Sequence, residues 1–132
     1  RQGYREVQEM AAKNRILVVD DEPDMVEILR LVLTQGGYQV EPVLSGRDCL
    51  ERTSKEEYDL IILDIRMPEM DGWTTLRKLR ERKVTDRTKI IILTVEKGPG
   101  VEIFGLQDVV ADYITKPFDR ERLIKHVKKV LA

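Results

Sequence analysis

Three short runs of apolar residues constrain the fold more than any other feature of this sequence. The runs occupy residues 16–19, 60–63 and 90–93, and every position in them is Ile, Leu or Val. Continuous apolar runs of four residues are typical of β-strands that are covered on both faces, as in parallel sheets. A segment of buried helix could give the same pattern, but it would normally be longer. We therefore interpret the three runs as the central strands of a parallel sheet.

Helical patterns separate these runs, so that strand and helix alternate five times along the chain. The apolar positions after the first run have helical spacing and end at a Gly-Gly pair. Ser45 and Asp119 are predicted to be N-caps of later helices. Residues 38–41 alternate in polarity, which favours a strand at or near a sheet edge, and residues 112–115 are a fifth strand candidate. The alternation predicts an α/β fold with right-handed crossovers.

Composition argues against several classes of function. The 132 residues include 23 Lys and Arg against 24 Asp and Glu, a balance that does not indicate nucleic-acid binding driven by bulk charge. A single cysteine, Cys49, and a single histidine, His126, exclude an internal disulfide, a thiolate zinc cluster and a two-histidine metal site. We interpret His126 as a solvated residue of the last helix. No apolar run approaches the roughly 20 residues of a membrane span, and no signal peptide is evident, so a soluble, cytoplasmic protein is expected.

The N-terminal segment, residues 1–14, stands outside the strand–helix repeat, and residues 15–132 form the predicted domain. Four apolar residues of this segment have the spacing of one helical stripe. Two interpretations stay open at this point. The segment is either an ordered or frayed leader, or the end of an upstream helix or linker.

Acidic residues follow two of the predicted strands. Asp20 and Asp21 come directly after the first run, and Asp64 comes directly after the third strand. Ligands of parallel α/β sheets bind at the carboxyl ends of the strands, so these side chains would meet if the two strands are neighbours. Three carboxylates in one cleft repel one another, and a divalent cation that prefers oxygen, Mg²⁺ above all, would neutralise them. Lys116, after the fifth strand, is a candidate for the remaining counter-charge.

Four motifs, taken together and in this order, closely resemble the receiver domain of two-component response regulators, the family of the chemotaxis regulators. The motifs are VVDDEP at residues 18–23, DIRMPEMDG at 64–72, ILT at 92–94 and DYITKPF at 112–118. The resemblance covers residues 15–132. It implies a flavodoxin-like (βα)5 fold, a doubly wound, five-stranded parallel sheet with strand order 2-1-3-4-5. It also implies a signalling switch rather than an enzyme with an external substrate.

The resemblance gives the function as acceptance of a phosphoryl group from a sensor histidine kinase or a phosphotransfer protein. Asp64 matches the phosphoacceptor, and Lys116 matches the lysine that pairs with it. Thr94 matches the hydroxyl that bonds the bound phosphoryl group, and Tyr113 matches the aromatic switch residue that turns inward when Thr94 moves. The family also has a cis peptide bond at the position of Lys116–Pro117. The domain would catalyse only its own phosphorylation and dephosphorylation.

A Mg²⁺ site is implied by the same resemblance. Asp21 and Asp64 match direct ligands of the ion, and the backbone carbonyl of Arg66 matches a further ligand. Asp20 matches an acidic residue that acts largely through water. Neither direct nucleic-acid binding nor membrane binding is expected of this domain.

Three features depart from the family pattern or extend it. Val95 stands where a small residue is usual, and its methyl groups could crowd the phosphoryl pocket. Residues 97–105 are rich in glycine, so the family's fourth helix is expected to be short, shifted or mobile here. That helix belongs to the face, with the fifth strand and fifth helix, through which the family often dimerises, so a homodimer is possible. Arg66 and Glu96 could form an ion pair over the site, or remain two independent solvated side chains.

Two other functions stay open at this point. A phosphatase of the haloacid-dehalogenase type would need an Asp-x-Asp pair after one strand, and neither residues 20–22 nor residues 64–66 supply one. A degenerate receiver that serves as a constitutive scaffold is opposed by the presence of all the family's site residues, although Val95 is compatible with it. Incubation with acetyl phosphate and Mg²⁺ would separate a working receiver from a scaffold.

Overall fold

The sheet has the predicted order. The computed structural model describes residues 14–95 and 105–132. Within them five parallel strands pair in the order β2-β1-β3-β4-β5, which confirms the expected topology and places β2 at an edge. The strands are β1 (Arg15–Val19), β2 (Gln39–Val43), β3 (Leu60–Asp64), β4 (Lys89–Thr94) and β5 (Asp112–Thr115).

Four α-helices connect or follow the strands in the described part of the chain. They are α1 (Pro23–Gln35), α2 (Gly46–Lys55), α3 (Gly72–Glu81) and α4 (Arg120–Leu131), with a 3-10 turn at Val84–Asp86. The helix expected over residues 97–105 lies outside the described residues except for Gly105, and so do Glu96 and residues 1–13 of the leader. None of the described helices is long and apolar enough to cross a membrane.

Helix starts are fixed by side-chain caps close to the carboxyl edge of the sheet. Ser45, Asp71 and Asp119 each accept a hydrogen bond from the backbone N–H three residues later, at 3.0, 2.8 and 2.7 Å. The caps predicted at Ser45 and Asp119 are therefore confirmed. Pro23, which has no N–H to leave unsatisfied, begins α1. The N-termini of the helices consequently surround the edge where the acidic residues stand.

The core consists of two apolar layers, one on each face of the sheet. Successive residues of β1, β3 and β4 point to opposite faces, and both faces are covered by helices, which explains why these strands are apolar throughout. Helices α2 and α3 cover one face, and α1 and α4 cover the other. The buried apolar side chains of the helices are Cys49, Leu50, Leu76 and Leu79 on the first face and Val26, Leu29, Leu33, Leu123 and Val127 on the second.

The last helix is tied to β5 by a side-chain pair. His126 Nδ1 lies 2.5 Å from Asp112 Oδ2, and both side chains are about three-quarters buried. Burial alone would raise the pKa of the Asp112 carboxyl, but its hydrogen bonds with His126 and with the backbone N–H of Tyr113, together with the neighbouring positive charge of Lys129, outweigh burial and lower that pKa. The interpretation of His126 as a solvated residue was therefore wrong. Its partner lies on a strand 14 positions earlier, so the local charge pattern of the helix did not reveal it.

Candidate functional site

Three acidic side chains meet where β1 and β3 end. The two strands run side by side with Val19 opposite Leu63, so Asp20 and Asp64 follow next to each other. Carboxylate oxygens of Asp20, Asp21 and Asp64 all lie within 4.8 Å of one another. Asp20 and Asp64 are buried, while Asp21 is the most open to solvent of the three. The structure thus brings together the acidic residues that the sequence placed at separate strand ends.

A lysine from the opposite end of the chain enters this cluster. Lys116 follows β5, and its Nζ lies 2.7 Å from Asp20 Oδ2 and 3.7 Å from Asp64 Oδ1. The same ammonium lies 3.9 Å from Glu22 Oε1. Glu22 was not among the predicted site residues, although its place in an Asp-Asp-Glu run was a signal for it. The closest partner of Lys116 is therefore Asp20 rather than Asp64.

The electrostatics of the cluster favour a bound cation. Burial raises the pKa of Asp64 and the charge of Asp20 adds to the effect; Lys116 and the backbone N–H of Arg66 oppose it, leaving that pKa at about 6. For Lys116, burial alone would lower the pKa, but the hydrogen bond to Asp20 and the neighbouring carboxylate charges raise it. One ammonium does not balance this many acidic groups. The donor set consists of oxygen atoms only, which is the chemistry that suits a hard divalent cation such as Mg²⁺.

The remaining predicted residues lie on the two neighbouring strands. Thr94 ends β4, and its backbone carbonyl accepts a hydrogen bond of 2.7 Å from the N–H of Lys116. The peptide bond between Lys116 and Pro117 is cis. Tyr113 lies in β5 and is 40 % exposed, and Val95, just beyond Thr94, is 51 % exposed. The fold therefore brings Thr94 and Lys116 to the acidic edge of the sheet and leaves Tyr113 towards the outer surface of β5.

Comparison with known proteins decides the family. Residues 16–128 match the family described as response regulator receiver domain. The chain belongs to that family. The predicted membership is thereby confirmed, and with it the place of the chain in two-component signalling as a signalling domain. The haloacid-dehalogenase alternative has no support from this match.

Individual relatives agree with the receiver assignment. The transcriptional activator protein IrlR of Burkholderia pseudomallei is 40 % identical over 117 residues, which make up 89 % of this chain and 50 % of IrlR. The receiver spans about half the length of the curated relatives that it matches.

Solved structures show the same fold. The CheY-like receiver domain protein of Methanospirillum hungatei superposes with a TM-score of 0.84 at 34 % identity, over 90 % of this chain and 94 % of the other. The response regulator TrrA of Thermotoga maritima, solved in complex with Mg²⁺ and BeF, superposes with a TM-score of 0.78 at 34 % identity, over 89 % and 98 % of the two chains.

Proposed function

We propose that this receiver accepts a phosphoryl group on Asp64 from the phosphohistidine of a sensor histidine kinase or a phosphotransfer protein. The observation that carries the proposal is the cluster of Asp20, Asp21 and Asp64 beside Lys116 at the carboxyl edge of the sheet. A structural ion pair would need one carboxylate for the lysine. Asp64 is a second buried carboxylate beside Lys116, and burying it lowers the stability of the fold. A chemical role for Asp64 explains its presence there.

The proposed transfer divides the work among three side chains of the receiver. A carboxylate oxygen of Asp64 forms the new bond to phosphorus, while the bond from phosphorus to the donor histidine nitrogen breaks. The electron pair of the broken bond stays on the imidazole, which takes up one proton and leaves neutral. The ammonium of Lys116, already 3.7 Å from Asp64 Oδ1, donates to one phosphoryl oxygen, and the Thr94 hydroxyl donates to another. Hydrolysis of the acyl phosphate at the same site returns the receiver to its starting state.

The residues at the site fit Mg²⁺. Asp21 and Asp64 would hold the ion through their carboxylates and Arg66 through its backbone carbonyl, and Asp20 would act largely through water. Bound Mg²⁺ supplies positive charge against the phosphoryl oxygens. Asp20 in turn holds Lys116 at 2.7 Å, which keeps the ammonium beside the nucleophile.

The proposed output uses β4, β5 and the last helix. Phosphorylation of Asp64 favours the state in which Thr94 has moved towards the phosphoryl group and the ring of Tyr113 has turned inward. The altered surface is then available to a partner or to a second copy of the receiver. We also propose residues 15–132 as the receiver, residues 1–14 as a leader or linker, and the cytoplasm as the compartment, without direct nucleic-acid or membrane binding by this domain.

Intact-mass measurement tests the assignment of Asp64. The parent chain, incubated with acetyl phosphate and Mg²⁺, is expected to gain the mass of one phosphoryl group, and Asp64→Asn is expected to gain none. Asp24→Asn, an exposed acidic residue of α1 outside the cluster, serves as the control and should behave like the parent. A mass gain that persists in Asp64→Asn would refute the assignment, and a parent that gains no mass would support the scaffold alternative.

A further inference from the structure

We propose that Gly72 is a positioning residue for the phosphoacceptor site. Because Gly72 has no side chain, the first turn of α3 lies directly on the backbone of Asp64 and Ile65. This contact sets the position of Asp64 relative to Arg66, the two residues through which the β3–α3 loop is proposed to serve the site. The inference rests on the proposed function of Asp64 and adds a residue that the sequence motif alone did not single out.

The contact is an approach of backbone to backbone. Gly72 is the first residue of α3 and is buried, and its N–H donates to the carbonyl of Ile65 at 2.8 Å. A Cβ at this position would lie 2.3 Å from the carbonyl oxygen of Asp64 and 2.7 Å from Ile65 Cα. Real Cβ atoms essentially never come within 3.0 Å of another atom in this way. The crowded atoms belong to the main chain, so no side-chain rotation can relieve the contact.

Space, rather than backbone conformation, is what requires glycine here. The φ angle of Gly72 lies outside the left-handed region, so an alanine could adopt the same backbone conformation. Restoring ordinary contact would instead need a displacement of about 1 Å, which is enough to cost up to about 100-fold in a positioned reaction.

Any such displacement changes the site, whichever element yields. Strand β3 is paired on both sides and is buried along its whole length, so it resists movement. If α3 moves instead, the loop that carries Arg66 moves with it, because the hydrogen bond from Gly72 to Ile65 closes that loop. In both cases the Asp64 carboxylate and the Arg66 carbonyl change their relative positions.

The chain offers a matched control. Gly46 is the first residue of α2 and is also buried, and a Cβ there would lie 2.2 Å from Thr75 Oγ1. The crowded atom belongs to the side chain of Thr75 in α3, and the nearest main-chain atom, the carbonyl oxygen of Met70, lies at an ordinary contact distance of 3.4 Å. Gly46→Ala is therefore comparable with Gly72→Ala in helix position, burial and crowding. The two variants differ in what is crowded, because only Gly72→Ala crowds the main chain at the end of β3.

Magnesium affinity provides a measurement that does not depend on phosphoryl transfer. Isothermal titration calorimetry with Mg²⁺ should be run at a temperature at which the parent and both variants are folded. We expect Gly72→Ala to bind Mg²⁺ about tenfold more weakly than the parent and Gly46→Ala to stay within about twofold of it. Without metal, the backbone amide chemical shifts of residues 64–66 should change in Gly72→Ala and remain close to the parent in Gly46→Ala.

Two results would overturn the inference: a parental Mg²⁺ affinity in Gly72→Ala, or an equal loss in both glycine variants. If Gly72→Ala does not fold in buffer alone, the parent and both glycine variants are compared in trimethylamine N-oxide or sucrose, osmolytes that favour the folded state. The weaker Mg²⁺ binding of Gly72→Ala should persist there, and parental affinity under that condition would refute the proposal. Failure of the parent to gain mass from acetyl phosphate would refute the proposed function instead, so the two failures are distinguishable.

Discussion

Asp64 stands in an environment that opposes the charge that it needs. As the proposed nucleophile it must be ionised, yet burial and the neighbouring Asp20 raise its pKa to about 6. Lys116 relieves only part of this conflict, because its closest carboxylate is Asp20. The proposed metal ion would relieve more of it. In the metal-free protein the carboxylates therefore repel one another, and binding of Mg²⁺ would relieve that repulsion.

We predict that Asp64→Asn raises the free energy of unfolding at pH 7 without Mg²⁺. The pKa of Asp64 is about 6 in the fold against an ordinary value of 3.8, so the folded state binds more protons between these values. Parent stability should therefore fall as pH rises from about 4 to about 6, by about 1–3 kcal/mol from this residue, and Asp64→Asn should lack that component. Urea unfolding from pH 4 to pH 7.5 measures both effects.

The control for this prediction is Asp86→Asn, an exposed residue of the 3-10 turn that lies outside the acidic cluster. It should follow the pH dependence of the parent. Addition of Mg²⁺ should narrow the difference between the parent and Asp64→Asn, because the ion stabilises only the protein that keeps its ligand. A variant that is no more stable than the parent at pH 7 would contradict the assignment of a destabilising charge.

Single residues also mark the limit of prediction from the sequence. The acidic residues could be placed because each follows a strand, and the ends of parallel strands share one edge. The contact between His126 and Asp112 could not, because it depends on how closely α4 packs on β5. The crowding at Gly72 could not either, because it depends on distances of 2–3 Å between main-chain atoms. Residue type and order predict which side chains meet, and they do not predict how closely two main-chain segments approach.

Among the structural elements, the strands were the most predictable. Residues 60–63 are apolar without interruption because β3 is covered on both faces. A strand without a solvent-facing side gives a continuous apolar run, which is easily recognised in the sequence. The N-caps at Ser45 and Asp119 were readable because a cap is a local interaction over three residues. The glycine content of residues 97–105 predicts a short, shifted or mobile helix, and these residues, apart from Gly105, lie outside the described part of the chain.

Helix α1 leads to a prediction about the phosphoryl donor. Ile28 and Leu31 are each 47 % exposed on this helix, which begins three residues after Asp20. A protein that brings phosphohistidine to Asp64 must contact the rim of the site, and exposed apolar side chains are suitable anchors for it. The double variant Ile28→Ser with Leu31→Ser should slow transfer from a phosphorylated histidine phosphotransfer protein by about tenfold or more.

Acetyl phosphate separates docking from chemistry in this experiment, because a small donor needs no protein contact. The rate of phosphorylation by acetyl phosphate should be the same in the double variant and the parent. Glu27→Ser, an exposed polar position on the same helix, should leave both rates unchanged. A loss of rate with acetyl phosphate as well would show that the variant damages the site, and an unchanged rate with the protein donor would exclude this face of α1 as the docking surface.

Across the whole molecule, the site and the proposed output surface share a strand edge. Thr94 pairs with Thr115, and Ile92, two residues earlier on β4, pairs with Tyr113. The proposed movement of Thr94 towards Asp64 would therefore take place directly beside β5, the strand that carries Tyr113. We predict that Thr94→Ala still gains a phosphoryl group but loses the structural response to it.

Hydrogen–deuterium exchange over residues 105–118 measures this response, with beryllofluoride and Mg²⁺ in place of the phosphoryl group. The parent should change its exchange in this region, and Thr94→Ala should not. Thr85→Ala, in the 3-10 turn away from the site, should respond as the parent does. Equal responses in the parent and Thr94→Ala would show that the signal reaches β5 without the Thr94 hydroxyl.

The ion pair between Lys116 and Asp20 joins positions that are 96 residues apart in the chain. During synthesis, a nascent chain that has emerged from the ribosome only as far as β4 would hold all three carboxylates and would lack the ammonium between them. Three like charges without that partner resist being brought together, so we expect the acidic edge to stay open until β5 has joined the sheet. A receiver that ends before β5 would then accept no phosphoryl group, and only a chain that includes Lys116 could transmit a signal.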